Sequence, residues 1–440
     1  MDAEPRRAEP RHPHAVPPSA VAALLPPAFF AVAVAFFATG TVATPFLVGD
    51  LAAYFYQARV LALTHVLTLG WISMVILGVL YRYVPGLTKQ RVPAPRVALA
   101  QWATFVAGVA ALVTQLWLGS WTRTAAAAAL LLVSAGLACA NFWPMLWRAP
   151  SRGVAEVGIA IGTGFLTLAA ALGTLLALDK QHPLLGGSTL TNLAAHAHLA
   201  ALGWVGVMIC ALSFRFLPAF LLPTVEVPSA ARAQVIALAA AVVLLAAALL
   251  VRSALVPLAA LAIAAALVAY LVLLVRVVRS HRLPIDWTAR HALASAVWLL
   301  GATAGGVCLG WTGAQSALGA RLAAAYGVAG LLGWMSNLVI GMSYKLFPGF
   351  VLAARTHRRR PPAPLAALEV PGPVKPIVFG AFNLGVAGTV ATLLAGTPLL
   401  AVAATATTAF GAVLYAAATA RTLAFTVVDP RVRTALAVLA

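Results

Sequence analysis

Three histidines lie inside apolar stretches of the sequence, where an ionisable side chain is costly. They are His65, His196 and His198. Ionisable side chains within a membrane span are candidates for function by default. Neutral imidazole is a common ligand for haem iron, copper and zinc. The sequence therefore indicates that these three histidines bind a cofactor or a metal ion.

The spacing of the histidines limits how they can act together. Two positions along an α-helix rotate a side chain by about 200° at 3.6 residues per turn, so His196 and His198 point to opposite sides. They cannot chelate one ion, and only one of them can share a site with His65. His65 and His198 each lie five residues before a Gly-Trp pair. We therefore predict that the imidazoles of His65 and His198 lie at one depth and face each other between two helices.

The alternative for the three histidines is hydrogen bonding across helices to backbone groups or to Asn192, Thr64 or Ser73.

The remaining polar candidates are weaker. The other histidines fall in the N-terminal tail or near loops, where we expect solvated or interfacial side chains: His12, His14, His182, His281, His291 and His357. The cysteines have no CxxC spacing and are expected to be packing residues: Cys139, Cys210 and Cys308. The carboxylates lie near helix ends or in loops, so no proton relay through a span is expected.

Composition places the chain in a membrane. Apolar residues make up 62% of 440 positions and charged residues 9%, too few to cover the surface of a soluble fold. The net charge of +19 is typical of nucleic-acid-binding proteins, but the basic residues stand at the ends of apolar runs. That is the positive-inside pattern of a multispanning protein. We therefore expect membrane lipid, and no nucleic acid, as a partner.

About twelve spans of roughly 20 residues each can be placed between the Pro, Gly and charge clusters. With the N-terminus inside, five of the 29 Lys and Arg residues fall outside and 24 inside, which predicts cytoplasmic N- and C-termini. Residues 1–19 are predicted to be a disordered cytoplasmic tail, and residues 20–440 a single transmembrane domain. The predicted spans are near 20–47, 53–81, 97–119, 124–147, 154–178, 190–217, 230–251, 254–276, 290–312, 322–347, 373–396 and 400–424.

One segment recurs three times, in the second, sixth and tenth predicted spans. The Gly-Trp pairs at Gly70, Gly203 and Gly333 align without gaps and are separated by 133 and 130 residues, or four spans each. The alignment also matches an aromatic residue, a basic residue and a proline, which we predict ends each helix. It predicts an all-α fold of three pseudosymmetric four-helix units, approximately 20–150, 151–282 and 283–440. The aligned sets are Tyr81, Phe214 and Tyr344, then Arg82, Arg215 and Lys345, then Pro85, Pro218 and Pro348.

The segment from His196 to Trp204, HAHLAALGW, resembles the HxH helix of subunit I of the haem-copper oxidase superfamily, nearest to the cbb-type oxidases and nitric oxide reductases. That superfamily also has twelve helices in three four-helix arcs. The resemblance implies that His65 and His198 are the two ligands of one haem, of b type, and that His196 ligates a second haem. The sequence has no adjacent His-His pair of the kind that forms the family's copper centre, so it gives little support for copper. The chain also resembles the NnrS family of haem- and copper-containing membrane proteins.

The function that this resemblance implies is electron transfer or nitric oxide handling in a bacterial-type inner membrane. If the chain is an enzyme, it is expected to be an oxidoreductase, and its catalytic residues are unknown. A periplasmic electron donor, a partner subunit and a small diatomic ligand are the expected partners. Two other hypotheses use the same histidines: a permease or copper transporter, in which they carry the ion, and a non-catalytic assembly partner.

Overall fold

A computed structural model describes residues 19–224, 229–360 and 363–426. Within these residues twelve helices are long and apolar enough to cross a membrane, and the chain is an all-α, multi-pass membrane protein. The predicted tail, except for Ser19, lies outside the described residues. Ser19 caps the first helix by accepting a hydrogen bond from the backbone N–H of Ala22 at 3.3 Å.

The twelve spans pack mainly against their neighbours along the chain. The first and last spans also pack against each other, which closes the bundle. A single helical turn, Leu365–Leu368, lies between α10 and α11. The spans are α1 (Ala20–Ala53), α2 (Ala58–Thr88), α3 (Pro95–Trp117), α4 (Trp121–Trp147), α5 (Val154–Asp179), α6 (Thr189–Leu221), α7 (Ala230–Leu250), α8 (Val256–Arg279), α9 (Trp287–Thr312), α10 (Ala317–His357), α11 (Val374–Ala395) and α12 (Pro398–Ala424).

The three helices that carry the recurring segment, α2, α6 and α10, each contain a π-helical stretch. These stretches are Val66–Ser73, Leu199–Gly206 and Ala329–Ser336, and each includes one Gly-Trp pair. An aromatic ring from the preceding helix, which is α1, α5 or α9, packs on the glycine of each pair. A Cβ atom added at Gly70 would lie 2.6 Å from the ring of Phe36, and the rings of Phe165 and Trp298 stand in the same way against Gly203 and Gly333. Glycine is therefore required at these positions for close packing.

The three π-helical stretches contact one another at the centre of the bundle, where their tryptophans are almost fully buried. The indole N–H of Trp71 donates to the hydroxyl of Ser336 at 3.2 Å. That of Trp204 donates to the hydroxyl of Ser73 at 2.9 Å. The position aligned with these serines in α6 is Gly206, and the ring of Trp334 lies against it. Bonds between side chains thus join α10 to α2 and α2 to α6.

The prolines that were predicted to end the three helices lie inside them, so that prediction is wrong. α2 continues past Pro85 to Thr88, and α10 continues past Pro348 to His357. A proline removes one N–H donor near the end of a helix, and the following turn can still form its own hydrogen bonds. α2 and α6 end one turn later at left-handed residues, Lys89 and Leu222.

Candidate functional site

The histidines His65 and His198 occupy the same place in their helices. Each is the last α-helical residue before the π-helical stretch. The Nδ1 atom of His65 lies 2.7 Å from the carbonyl oxygen of Leu61, and that of His198 lies 2.7 Å from the carbonyl oxygen of Ala194. Both bonds run back one turn along the same helix, and they fix the orientation of each ring.

The His196 ring is held by a different helix. Its Nδ1 atom lies 3.0 Å from the carbonyl oxygen of Ala169 on α5. A Cβ atom added at Gly173, one turn further along α5, would lie 2.8 Å from Cε1 of His196. The absence of a side chain at Gly173 therefore leaves the space that the imidazole fills.

These backbone contacts determine the tautomer of each ring. A carbonyl oxygen only accepts hydrogen bonds, so the Nδ1 atom beside it must carry the hydrogen. The Nε2 atom of a neutral imidazole then bears the lone pair, which is the form that ligates a metal. Backbone groups thus satisfy one nitrogen of His65, His196 and His198 and leave the other as a potential ligand.

The predicted partners for hydrogen bonding do not use that second nitrogen. Asn192 donates to the carbonyl oxygen of Gly186 at 3.0 Å. The hydroxyl of Thr64 bonds back to its own helix, at 2.8 Å, and the hydroxyl of Ser73 accepts from Trp204. Hydrogen bonding therefore accounts for Nδ1 of each histidine but not for Nε2 of His65 or His196.

The structure brings His65 together with His196 rather than with His198. The ring centres of His65 and His196 lie 6.4 Å apart, with planes inclined by 26°. The ring of His198 instead lies beside that of Tyr326 on α10, at 6.1 Å and 23°. The predicted pairing of His65 with His198 is thus wrong, although the prediction that His196 and His198 point to opposite sides is confirmed.

The alignment of the repeats explains this correction. Tyr326 is the residue that aligns with His196, so the two contacts are equivalent. His65 of α2 contacts α6 at His196, two positions before His198, the residue with which His65 aligns. His198 in turn contacts α10 at Tyr326, two positions before the residue that aligns with His198. Subunits or repeats related by rotation meet head to tail, through different surfaces, so equivalent residues do not face each other. Equal depth alone could not identify the partner of His65.

Tyr326 was missed by the sequence analysis. Its hydroxyl lies 3.3 Å from Nε2 of His198, and it donates its hydrogen because that nitrogen bears the lone pair. An aromatic residue at membrane depth is ordinary packing, so its type gave no signal. The register of the repeats did give a signal, because it aligns Tyr326 with His196.

His291 is a correction of another kind. It was expected to be solvated or interfacial, but its side chain is fully buried on α9. Its Nδ1 atom makes a short hydrogen bond with Oδ1 of Asn337, and Nε2 has no partner among the described residues. Asn337 in turn donates to Asn383 on α11 at 2.6 Å. His291 thus belongs to a polar network inside the third unit, away from the other three histidines.

A cavity lies on the far side of α6 from the His65–His196 pair. It has a volume of about 90 Å³, is partly open, and is bounded by residues of α6, α7, α8, α9 and α10. His198, Tyr326 and Thr303 supply the polar side chains of its wall, apart from the indole of Trp334, and Ala, Gly, Leu and Ile supply most of the rest. His196 and His198 therefore face two separate environments.

The residues present fit a metal centre with two imidazole ligands. Among the described residues, no group of three or more His, Cys, Asp or Glu side chains could hold a metal ion. A closed tetrahedral zinc site needs four such ligands and is not formed by this pair. Two imidazoles with free Nε2 atoms could hold a haem iron or a two-coordinate ion.

No family model matches the sequence, and no curated protein matches it significantly. The geometry of these side chains is therefore the basis for inferring a function.

Proposed function

We propose that this chain is a haem-binding integral membrane protein with an electron-transfer role, and that His65 and His196 would hold the haem iron. The separation of their rings carries the proposal. An imidazole nitrogen binds a metal at about 2.0–2.1 Å, so two rings on opposite sides of one ion have centres about 6 Å apart. The observed 6.4 Å agrees with that arrangement.

The apolar spans that carry the pair favour haem over a bare ion. An ion in an apolar span needs several ligands to replace its hydration shell, whereas a porphyrin supplies four of the six itself and buries an apolar body. A haem with two axial imidazoles supplies one-electron redox chemistry. Since His65 and His196 would both hold the iron, electron transfer is favoured over the binding of nitric oxide or another diatomic at the same iron.

His65 and His196 would act as a preorganised pair. Carbonyl oxygens of two helices set their orientation: Leu61 of α2 for His65 and Ala169 of α5 for His196. Hydrogen bonds from Nδ1 to carbonyl oxygens fix the ring planes and raise the basicity of the ligating nitrogen. The two imidazoles would therefore hold the iron without rearranging.

The arrangement of the helices is part of the proposal. We infer three pseudosymmetric four-helix units with both termini in the cytoplasm of a bacterial-type inner membrane, and a distant relationship to haem-copper oxidase subunit I. The equal register of the three π-helical stretches and the two equivalent aromatic pairs support the units. The basic residues support the sidedness, and the HxHxxxLGW segment supports the relationship.

The second candidate function is copper transport. Two imidazoles whose Nε2 atoms are free are also a ligand set for a two-coordinate copper ion, and imidazole is a ligand that copper accepts. A route along the central axis is closed by Trp71, Trp204 and Trp334, which are buried between the three recurring helices. Ion movement would therefore need a path between helices.

Spectroscopy and metal analysis of the purified chain test both functions. After haem-replete expression we expect a Soret band that is lost in His65→Ala and in His196→Ala and kept in His198→Ala. His182→Ala, at an exposed histidine between α5 and α6, is the control for loss of any imidazole. Absence of a Soret band from the wild-type chain would remove the haem proposal, and bound copper lost in the same two variants would support the transporter.

A further inference from the structure

The recurring basic position of α2, α6 and α10 has no part in the proposed haem function. Arg82, Arg215 and Lys345 occupy this position. Arg82 follows His65 by about five helical turns, roughly 25 Å along α2. The basic residues therefore stand far from the histidines, and a ligand that they bind has a site of its own.

Aromatic side chains join the three recurring helices at this end. The ring centres of Tyr83 on α2 and Phe216 on α6 lie 5.0 Å apart. The ring of Phe216 stacks on that of Phe220, one turn further along α6, with centres 6.3 Å apart. The Nζ atom of Lys345 on α10 lies 5.2 Å from the centre of the Phe220 ring. This face of α6 therefore contacts both α2 and α10.

The recurring positive charge is balanced on α10 but not on α2 or α6. Lys345 forms an ion pair with Asp286 at 2.7 Å, and Asp286 also caps α9. Neither Arg82 nor Arg215 forms an ion pair with a carboxylate among the described residues. The side chain of Arg215 is exposed and that of Arg82 is partly exposed. Two guanidinium groups are therefore available to an anion from the surrounding water.

The hydroxyl of Tyr83 adds a hydrogen-bond donor to these charges. Arg82 precedes Tyr83 in the sequence, and the guanidinium of Arg215 lies beside the hydroxyl across the contact between α2 and α6. The hydroxyl is buried and makes no hydrogen bond of good geometry with the described residues. Glu156 on α5 is also near, but its carboxylate accepts from the hydroxyl of Ser151 at 2.8 Å. A buried polar group without a partner is costly, so an acceptor that reaches Tyr83 is bound favourably.

We propose that Arg82, Arg215 and the hydroxyl of Tyr83 bind the phosphate group of an anionic ligand. Guanidinium groups pair with phosphate oxygens through two parallel N–H···O bonds. A phosphate group has enough oxygens to accept hydrogen bonds from both arginines and from Tyr83 at once. A carboxylate has only two oxygens, and chloride is a single acceptor.

The phosphate can belong to a soluble molecule or to a phospholipid headgroup. The recurring helices meet at the centre of the closed bundle, away from the surrounding lipid. This position favours a soluble anion that approaches from the water at the end of the bundle. The proposal does not depend on the haem function, because phosphate binding requires no metal. Either proposal can therefore fail without the other.

Calorimetric titration of the full chain with inorganic pyrophosphate, in a maltoside detergent that carries no phosphate, tests the site. At constant ionic strength, set by sodium chloride, we expect saturable binding of one pyrophosphate per chain. Arg82→Gln and Arg215→Gln should each weaken binding by about 10-fold, because each removes charge-assisted hydrogen bonds. Tyr83→Phe keeps the ring and should weaken binding by about 3- to 10-fold. Arg276→Gln, at an exposed arginine at the same end of α8, is the matched control and should bind as wild type does.

A second measurement identifies the source of the phosphate. Mass spectrometry of the intact chain counts the phosphatidylglycerol molecules that remain bound after delipidation. Phosphatidylglycerol retained by the wild type and lost from the Arg82→Gln, Arg215→Gln double variant, without pyrophosphate binding, would support the proposal with a lipid headgroup as the ligand. The proposal is overturned if the wild type binds neither probe saturably, or if the double variant binds both as Arg276→Gln does. An unchanged transition temperature shows that a loss of binding is not a loss of folding.

Discussion

The imidazole rings of His65 and His196 lie 6.4 Å apart and are supported by carbonyl oxygens from two different helices, α2 and α5. Neither support involves a side chain, so the backbone of the bundle sets the geometry. Substitutions that shift one of these helices by a fraction of an ångström should therefore alter the pair without removing a ligand.

Gly173→Ala tests the support of His196. The new Cβ atom would lie 2.8 Å from Cε1 of the ring, so the imidazole must move. We expect haem affinity to fall by about 10-fold, as for other changes in groups that orient a metal ligand. Gly164→Ala on the same helix is the control, because its Cβ atom would meet Trp143 at an ordinary 3.8 Å. Equal haem affinity in the two variants, by titration of the haem-free chain, would contradict the prediction.

Ser73→Ala tests the central contacts. It leaves the buried indole N–H of Trp204 without its acceptor, at a cost of about 1–3 kcal/mol. The transition temperature in detergent should drop accordingly. Thr39→Ala, which removes an exposed hydroxyl bonded to its own helix at 2.9 Å, should change stability little. A similar drop in both variants would show that the interhelical bond contributes nothing specific.

Two tyrosines in contact offer a matched pair of substitutions. The hydroxyl of Tyr415 donates to Ser343 at 2.8 Å, whereas the hydroxyl of Tyr344 is buried with no partner among the described residues. We expect Tyr415→Phe to destabilise the chain by about 1 kcal/mol and Tyr344→Phe to be neutral or stabilising. The residue aligned with Tyr344 in the second unit is Phe214. Thermal unfolding of the two variants decides, and the reverse order would contradict the hydrogen-bond assignment.

Two exposed histidines test the orientation of the chain. In a variant without the native cysteines, His182→Cys should react with a membrane-impermeant maleimide in intact cells. His281→Cys should react only after the membrane is opened, because the basic loop around it is proposed to be cytoplasmic. The opposite pattern would invert the topology and leave the helix packing unchanged.

Hydropathy predicted the spans well because each span must be apolar and long enough to cross the lipid bilayer. Their ends were less predictable, since these depend on packing: α10 extends from Ala317 to His357 where the sequence predicted 322–347. His291 was misjudged for the same reason. The predicted span began at residue 290, but α9 begins at Trp287 and packs the His291 side chain against Gly341.

The candidate site was predicted in its residues but not in its pairing. The cost of burying an imidazole drew attention to His65, His196 and His198 without any knowledge of their neighbours. Which ring faces which depends on the rotation of one helix against the next. That rotation leaves no trace in a single sequence, except through the alignment of Tyr326 with His196.

His196 and His198 stand on the same turn of α6 and face opposite compartments. His196 and His198 belong to one helix. A rotation of α6 about its axis that moves one imidazole towards its neighbours therefore moves the other away from its own. Binding beside one of these histidines should therefore change the packing around the other, so the two sides of α6 are coupled.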